Sequence, residues 1–204
     1  MPRVASTPDV RGAILDAATR LMERYGYKKM TIDDIAHEAG IGKATIYGYF
    51  EHKQDVALGV IDGYRQRNLE RWGEIMQERL PVEQTLRKLL VARVGFAFDT
   101  CSRYNQSVDD SLATLRPVVL AKRGRYNESD AEALAPLLQE GIGQGMFGEM
   151  DCLAVARTIL TCFSSLMPYN LSPRELTQRE QVIRMAEDMV DLILQGLFRQ
   201  KDRF

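Results

Sequence analysis

The sequence predicts an all-α protein: a compact three-helix head joined to a bundle of longer helices. Two observations carry that prediction. Apolar residues recur at steps of three and four through long windows, as in Val56-Ala57-Val60-Ile61-Tyr64, Leu86-Leu89-Leu90-Val94-Ala97 and Leu153-Ala156-Ile159-Leu160-Phe163, which lines one face of a helix. No sustained run of alternating β-branched residues flanked by turn signals occurs, so the pattern offers strands no support. With 204 residues, 45% of them hydrophobic and 27% charged, the chain can bury a core and has a globular rather than a disordered balance.

The elements follow the punctuation. From Val10, the residues Ile14, Leu15, Ala18, Leu21, Met22 and Tyr25 form one apolar face. Pro8 and Asp9 suit the first turn of that helix, and Gly26 suits the left-handed residue that closes it. Gly40, Gly42 and Gly48 space further short elements up to about residue 52, and longer helices follow. Those are separated near Leu80-Pro81, between Cys101 and Asp110, between Gly143 and Asp151, and between Pro168 and Pro173. The expected division is a head over 8–68 and a larger helical domain over 69–204.

Residues Thr31 to Phe50, TIDDIAHEAGIGKATIYGYF, are the most informative. Thr31 can cap a helix with Asp34 at its third position, a carboxylate form of the capping box. Ile32, Ile35, Ala36 and Ala39 face inward, and Ala36 stays small where a second helix crosses steeply. Gly40 can take positive φ and end the helix at once, Ile41 turns back into the core, and Ile46 plugs the gap between the helices. This spacing is what a helix-turn-helix at roughly 90–120° requires. The second helix, about Gly42 to Tyr47, turns Lys43, Ala44, Thr45 and Tyr47 outward: groups suited to phosphates and base edges. Lys53 falls near the start of the next helix, where the macrodipole disfavours a cation unless a phosphate sits there too. Tyr47 and Tyr49 are expected to stay exposed, whereas Phe50 joins the core.

Charge limits how such a head works. Lys and Arg total 27 against 28 Asp and Glu, so a generally polycationic nucleic-acid binder is excluded. Residues 1–55 alone balance Lys/Arg at 3, 11, 20, 24, 28, 29, 43 and 53 against Asp/Glu at 9, 16, 23, 33, 34, 38, 51 and 55. Binding must then come from placed contacts. Arg3 and Arg11 are in reach of phosphate as a short arm but are read as solvated.

The stretch over residues 8 to 64 resembles the TetR family of bacterial transcriptional regulators. The residues carrying the likeness are R-G-A-I-L-D-A-A-T-R-L, then Y-G-Y-K-K-M-T-I-D-D-I-A-H-E-A-G-I-G-K-A-T-I-Y-G-Y-F-E-H-K. The resemblance implies a homodimer on a double-stranded DNA operator, its second helices in successive major grooves roughly 34–36 Å apart. It implies DNA contacts from Thr31, Lys43, Ala44, Thr45, Tyr47, Tyr49 and Lys53. Of these, Thr31, Tyr47 and Lys53 would mainly meet phosphate, with Ala44 and Thr45 nearest the bases. Two departures stand out: Gly42 replaces a common Ser, and Gly48 replaces a larger residue between the tyrosines.

Beyond residue 64 the resemblance is one of length and helical plan. A helix from about Gln54 to Gln77 spans about 36 Å, starting beside Lys53 and ending beside Trp72, Ile75 and Met76, which suits a lever between a ligand and the head. A coupling of roughly 1–3 kcal/mol would change DNA affinity about 5–150-fold. Tyr64, Trp72, Phe96, Phe98, Tyr104 and Phe163 are candidate pocket residues, with Arg93 and Asp99 as polar anchors, although each aromatic serves equally as core. Between Gln181 and Phe198 the apolar stripe is wider than one buried face needs. Together with the helix around Leu153 to Met167 it suggests a dimer interface that includes Leu160, Met189, Ile193 and Leu197.

Other classes have less support. No Gly-rich phosphate loop after a strand, HExxH or nucleophile elbow is present, and His37 and His52 both lie in the head, so no catalytic residue or cofactor is expected. Cys101, Cys152 and Cys162 are an odd number at no metal-ligand spacing. No apolar run approaches a membrane span, and the N-terminal residues lack the apolar core of a signal peptide; a cytoplasmic protein is expected. The expected function is a ligand-responsive transcriptional regulator, a repressor released from a palindromic operator by a small-molecule effector. The alternative is a helical ligand-binding or protein-interaction dimer without operator binding.

Overall fold

The structure, a computed structural model, describes residues 9–102 and 108–198, with the backbone alone for 108–113. Among the described residues the elements are helical and there is no β-strand: α1 (Val10–Lys29), α2 (Ile32–Ala39), α3 (Lys43–Tyr47), α4 (Lys53–Gln77), α5 (Val82–Ser102), α6 (Val108–Gly143), α7 (Cys152–Phe163) and α8 (Arg179–Leu197), with short 3-10 turns between α7 and α8. The breaks near Leu80-Pro81 and Pro168 to Pro173 fall where the sequence places them. α6 runs through Pro117 and Pro136 without ending. No helix among the described residues is long and apolar enough to cross a membrane.

The chain divides into two compact units. One contains the chain through Arg65 together with Ser102–Leu115; the other contains Gln66–Cys101 and the chain from Arg116 onward. α4 therefore contributes Lys53–Arg65 to the first and Gln66–Gln77 to the second.

In the first unit, α1 begins at an Asp9 cap, whose side chain accepts from the Gly12 N–H at 2.9 Å. Ile14, Ala17, Ala18, Leu21 and Met22 fill its inner face. The helix breaks at Gly26, where φ is 78° and ψ is 161°, a conformation open to glycine. Contrary to expectation the break does not close the element: helical turns resume through Lys29, and Met30 caps them. Tyr25, expected inside, is half exposed. α4 packs tightly on α1, since a Cβ on Gly59 would come 2.6 Å from Leu15 Cδ2.

The second unit is built around one apolar core drawn from α4 to α8, with Trp72, Leu86, Leu89, Leu90, Phe147, Phe163 and Val190 at its centre. After α6 the chain turns at Gly145 (φ 69°) and inserts Phe147 beside Gly141. A Cβ on Gly141 would lie 2.2 Å from the Phe147 ring, so a side chain there and the buried Phe147 exclude each other. α7 starts on an Asp151 cap that accepts from the Ala154 N–H.

Candidate nucleic-acid interface

The first unit holds α2 and α3 in the geometry the sequence requires. Thr31 and Asp34 form a full capping box: the Thr31 hydroxyl oxygen accepts from the Asp34 N–H at 3.1 Å, and the Thr31 N–H donates to Asp34 Oδ2 at 2.9 Å. The Thr31 hydroxyl and backbone donors hold the Asp34 carboxyl below the usual carboxylate range. Gly40 ends α2 in the left-handed region at φ 67° and ψ 31°, and the Ile41 N–H returns to the Ala36 carbonyl at 3.0 Å. Ile32, Ile35, Ala36 and Ile46 are buried. Burying Ile46 fixes the roll of a helix of only five residues and so decides what that helix shows to the outside.

It shows Lys43, Ala44, Thr45 and Tyr47, all exposed, with Tyr49 beside them. Tyr47 and Tyr49 are 50% and 51% exposed, a high share for large aromatic side chains. Gly42 leaves the start of α3 without a side-chain cap, so N–H groups there stay free for an acceptor. Lys43 Nζ forms an exposed ion pair with Asp33 on α2 at 3.0 Å, which raises the lysine's pKa. Arg20 on α1 pairs with Glu38 on α2 at 2.7 Å, an exposed contact of the kind that adds little to stability.

Two expected phosphate contacts are otherwise occupied. Lys53 Nζ donates to the Met30 carbonyl at 2.9 Å and the Tyr27 carbonyl at 3.1 Å, and lies 4.5 Å from the centre of the Tyr27 ring. It caps the C-terminal end of α1, where the macrodipole favours a cation, and burial lowers its pKa. The Thr31 hydroxyl, still exposed, donates to Asp34 Oδ2 at 2.7 Å. The Thr31–Asp34 pairing is the capping box the spacing predicts, whereas sequence reasoning missed the Lys53 contacts because backbone carbonyls carry no sequence signature. Arg11, read as solvated, lies over the Phe50 ring at 5.4 Å. Its guanidinium thus covers the residue that seats α3 against α4.

The candidate ligand and interface residues are scattered. Tyr64 belongs to the first unit and is buried there, with its hydroxyl 3.4 Å from Glu23. Trp72 and Phe163 are buried in the core of the second unit, Phe96 is half-buried, and Tyr104 lies outside the described residues. Arg93 is buried and donates to Asp130 Oδ2 and to Asn127 Oδ1, both at 3.2 Å. Asp99 pairs instead with Arg179, at 2.6 Å, so it is a surface contact of α5 with α8. Leu160, expected at an interface, is fully buried in its own unit: it sits on the inner face of α7 and cannot reach a partner. On α8, Met189, Ile193 and Leu197 are half-buried and pack on the core, while Met185 and Leu192 are exposed by 41% and 69%.

An exposed helix of contact-forming side chains, rolled by one buried isoleucine and held across a capped partner helix, defines a helix-turn-helix DNA-binding protein. Residues 14–60 match the family described as bacterial regulatory proteins, tetR family. An uncharacterised HTH-type transcriptional regulator, YhgD, of Bacillus subtilis (strain 168) is 31% identical over 162 residues, covering 78% of this chain and 83% of that protein. The crystal structure of a TetR-family transcriptional regulator from Pectobacterium atrosepticum shares the fold, with a TM-score of 0.75 at 19% identity over 94% of this chain and 95% of that one. A transcriptional regulator from Saccharomonospora viridis, solved in complex with choline, has a TM-score of 0.63 at 22% identity over 95% and 100% of the two chains. The chain belongs to the TetR family of bacterial transcriptional regulators, and the residues that match the family model lie in its first unit.

Proposed function

We propose that this regulator is a homodimeric repressor that leaves a palindromic operator when a small molecule binds its second unit. The observation that carries the reading is the outward face of α3, where Lys43, Ala44, Thr45 and Tyr47 are exposed while Ile46 is fully buried. In this reading Ala44 and Thr45 read base edges, and Lys43, Tyr47 and Tyr49 meet phosphates. Thr31 and Lys53 hold α2 and α4 in place for them. The domain boundary falls within α4, whose two halves belong to different units, and one continuous helix is a direct route for a ligand to bias the reading head. The choline bound to the S. viridis regulator supports a small-molecule effector here without identifying it.

The dimer is supported by α8. Met185, Met189 and Leu192 recur at four and three, and Gly196 extends the same line with nothing within 4 Å of a Cβ placed on it. A stripe this exposed on an otherwise well-packed unit suits a second copy. Leu192→Glu is then expected to give monomers by sedimentation and to lose operator binding together with the dimer.

The function is tested by selecting bound fragments from random DNA and titrating salt on the winner. A palindromic site whose affinity falls steeply between about 50 and 200 mM salt is expected. Failure to enrich any site, with and without added metabolite extract, would leave the helical ligand-binding dimer as the better reading.

A further inference from the structure

Asn68 and Trp72 stand four residues apart on α4, in the half of that helix that belongs to the second unit, and so share a face. Both are buried, at 8% and 1% exposure. Each nonetheless keeps a buried polar atom with no hydrogen-bond partner: Asn68 Oδ1, an acceptor, and Trp72 Nε1, a donor. Native interiors pair such atoms with few exceptions, because a polar group taken from water and left alone loses more than an ordinary hydrogen bond returns. Two unpaired atoms of opposite kind, one helical turn apart, ask for one group that both donates and accepts. A hydroxyl does so, its O–H donating to Asn68 Oδ1 and its oxygen accepting from Trp72 Nε1. A primary carboxamide does the same with its N–H and carbonyl.

The buried charges of the second unit offer an ion little. Among the described residues, the buried charged side chains are Arg93 and Asp130, and they face each other at 3.2 Å. An incoming ammonium would therefore find the Asp130 carboxylate already paired, and a carboxylate would find only Nη1 of Arg93 without a partner, on a guanidinium whose charge Asp130 already balances. Arg116 is the countercase: it is half-buried, donates from Nη2 to the Leu171 carbonyl at 3.3 Å, and leaves Nε unpartnered, so an anionic ligand would choose it. The neighbours of Asn68 and Trp72 along α4, namely Leu69, Ile75 and Met76, belong to or pack on the apolar core and suit a hydrocarbon body.

We propose that the second unit binds an uncharged amphiphile whose hydroxyl or carboxamide bridges Asn68 Oδ1 and Trp72 Nε1, with its apolar body against the core side of α4. This rests on the reading of the second unit as the effector domain, and names the effector's chemical class. Because both contacts lie on α4, occupancy acts on the helix whose other half carries the reading head.

Trp72 is the only tryptophan in the chain, so its emission reports the site directly. The full-length protein is titrated with 1-octanol, octanamide, sodium octanoate and octyltrimethylammonium, as parent, Asn68→Leu and Asn68→Ala. The expected result is a saturable change in Trp72 emission with octanol and octanamide, and at least tenfold weaker binding of the two ions. Each Asn68 variant should bind octanol at least tenfold more weakly, and Asn68→Leu should melt no lower than the parent because the deleted acceptor has no partner. Preferred binding of octanoate, which would implicate Arg116, overturns the proposal, as does preferred binding of the ammonium. Octanol affinity unchanged in the variants, no response to any probe, or a lower melting temperature for Asn68→Leu overturns it as well. Operator binding is read in the same samples by anisotropy of the selected DNA. A protein that binds its site but fails the octanol test loses this inference alone, whereas one that selects no site loses the proposed function whatever octanol does.

Discussion

The two units of this chain treat their polar side chains in opposite ways. In the first, Thr31 is committed to Asp34, Lys53 to the carbonyls ending α1, and Arg20 to Glu38. In the second, Asn68, Trp72, Arg93 and Arg116 each carry a buried polar atom without a partner, and no such atom is found among the described residues of the first. A reading head works by presenting fixed contacts to a fixed target, so unmet polar atoms inside it would only cost stability. A domain that takes a ligand gains by holding back polar groups that the ligand completes.

The comparison is tested hardest where the second unit does commit itself. Arg93 donates to Asp130 and Asn127, and Asn127 passes the chain on to the Ser164 hydroxyl at 3.2 Å. Removing one member of a buried ion pair strands the other, so Asp130→Asn should destabilise the protein by about 3–5 kcal/mol, read as an early loss of Trp72 emission on denaturation. The double change Arg93→Met with Asp130→Leu should recover most of that loss. No recovery would mean that the network organises the unit beyond its own pairing.

The matching test in the first unit is Ile46→Ala, which should cost about 2–5 kcal/mol and abolish DNA binding. If the two units unfold independently, the helical signal in circular dichroism should show an early partial transition while Trp72 emission unfolds later. Coincident transitions would mean that α4 couples the two into one cooperative body.

The same contrast explains what was legible in the sequence. Thr31, Ala36, Gly40 and Ile46 each do one job set by local geometry: a cap, a close crossing, a positive φ and a plug. Their spacing alone was therefore enough to place α2 and α3. Lys53 shows the limit, because its carbonyl partners near the end of α1 are 23 to 26 residues away in sequence, and nothing local tells a phosphate from a carbonyl. In the second unit periodicity located the helices but could not say which aromatic keeps an unmet polar group: Trp72 and Phe163 are both buried in the core, and of the two only Trp72 has an indole N–H, left without a partner. Leu160 and Leu192 differ in the same way, since both belong to apolar stripes and only packing puts one inside and the other out.

Smaller effects separate contacts that hold the head from contacts that read DNA. Thr31→Ala removes a cap and should cost about 1 kcal/mol, lowering the melting temperature with little change in the salt dependence of binding. The Asp34 carboxyl is held below its ordinary value by Thr31. The capping box therefore contributes in full above the ordinary carboxylate range, and its contribution fades as pH falls through the depressed value. In Thr31→Ala that acid-side loss should be shallower.

The finest distinction is between two lysines of the head. Lys43 is exposed beside Asp33, and Lys53 is folded against Tyr27 and Met30. If Lys43 meets a phosphate, Lys43→Met should reduce the slope of log affinity against log salt by about 0.9 per protomer. Lys53→Met should leave that slope unchanged and lower the melting temperature instead, since it removes a cation from the end of α1. Asp33→Asn frees Lys43 of its only described ion pair and should tighten operator binding a few-fold, most visibly at low salt where exposed charges are least screened. A slope that falls equally in both lysine variants would put Lys53 back among the phosphate contacts, with its hold on α1 released when DNA arrives.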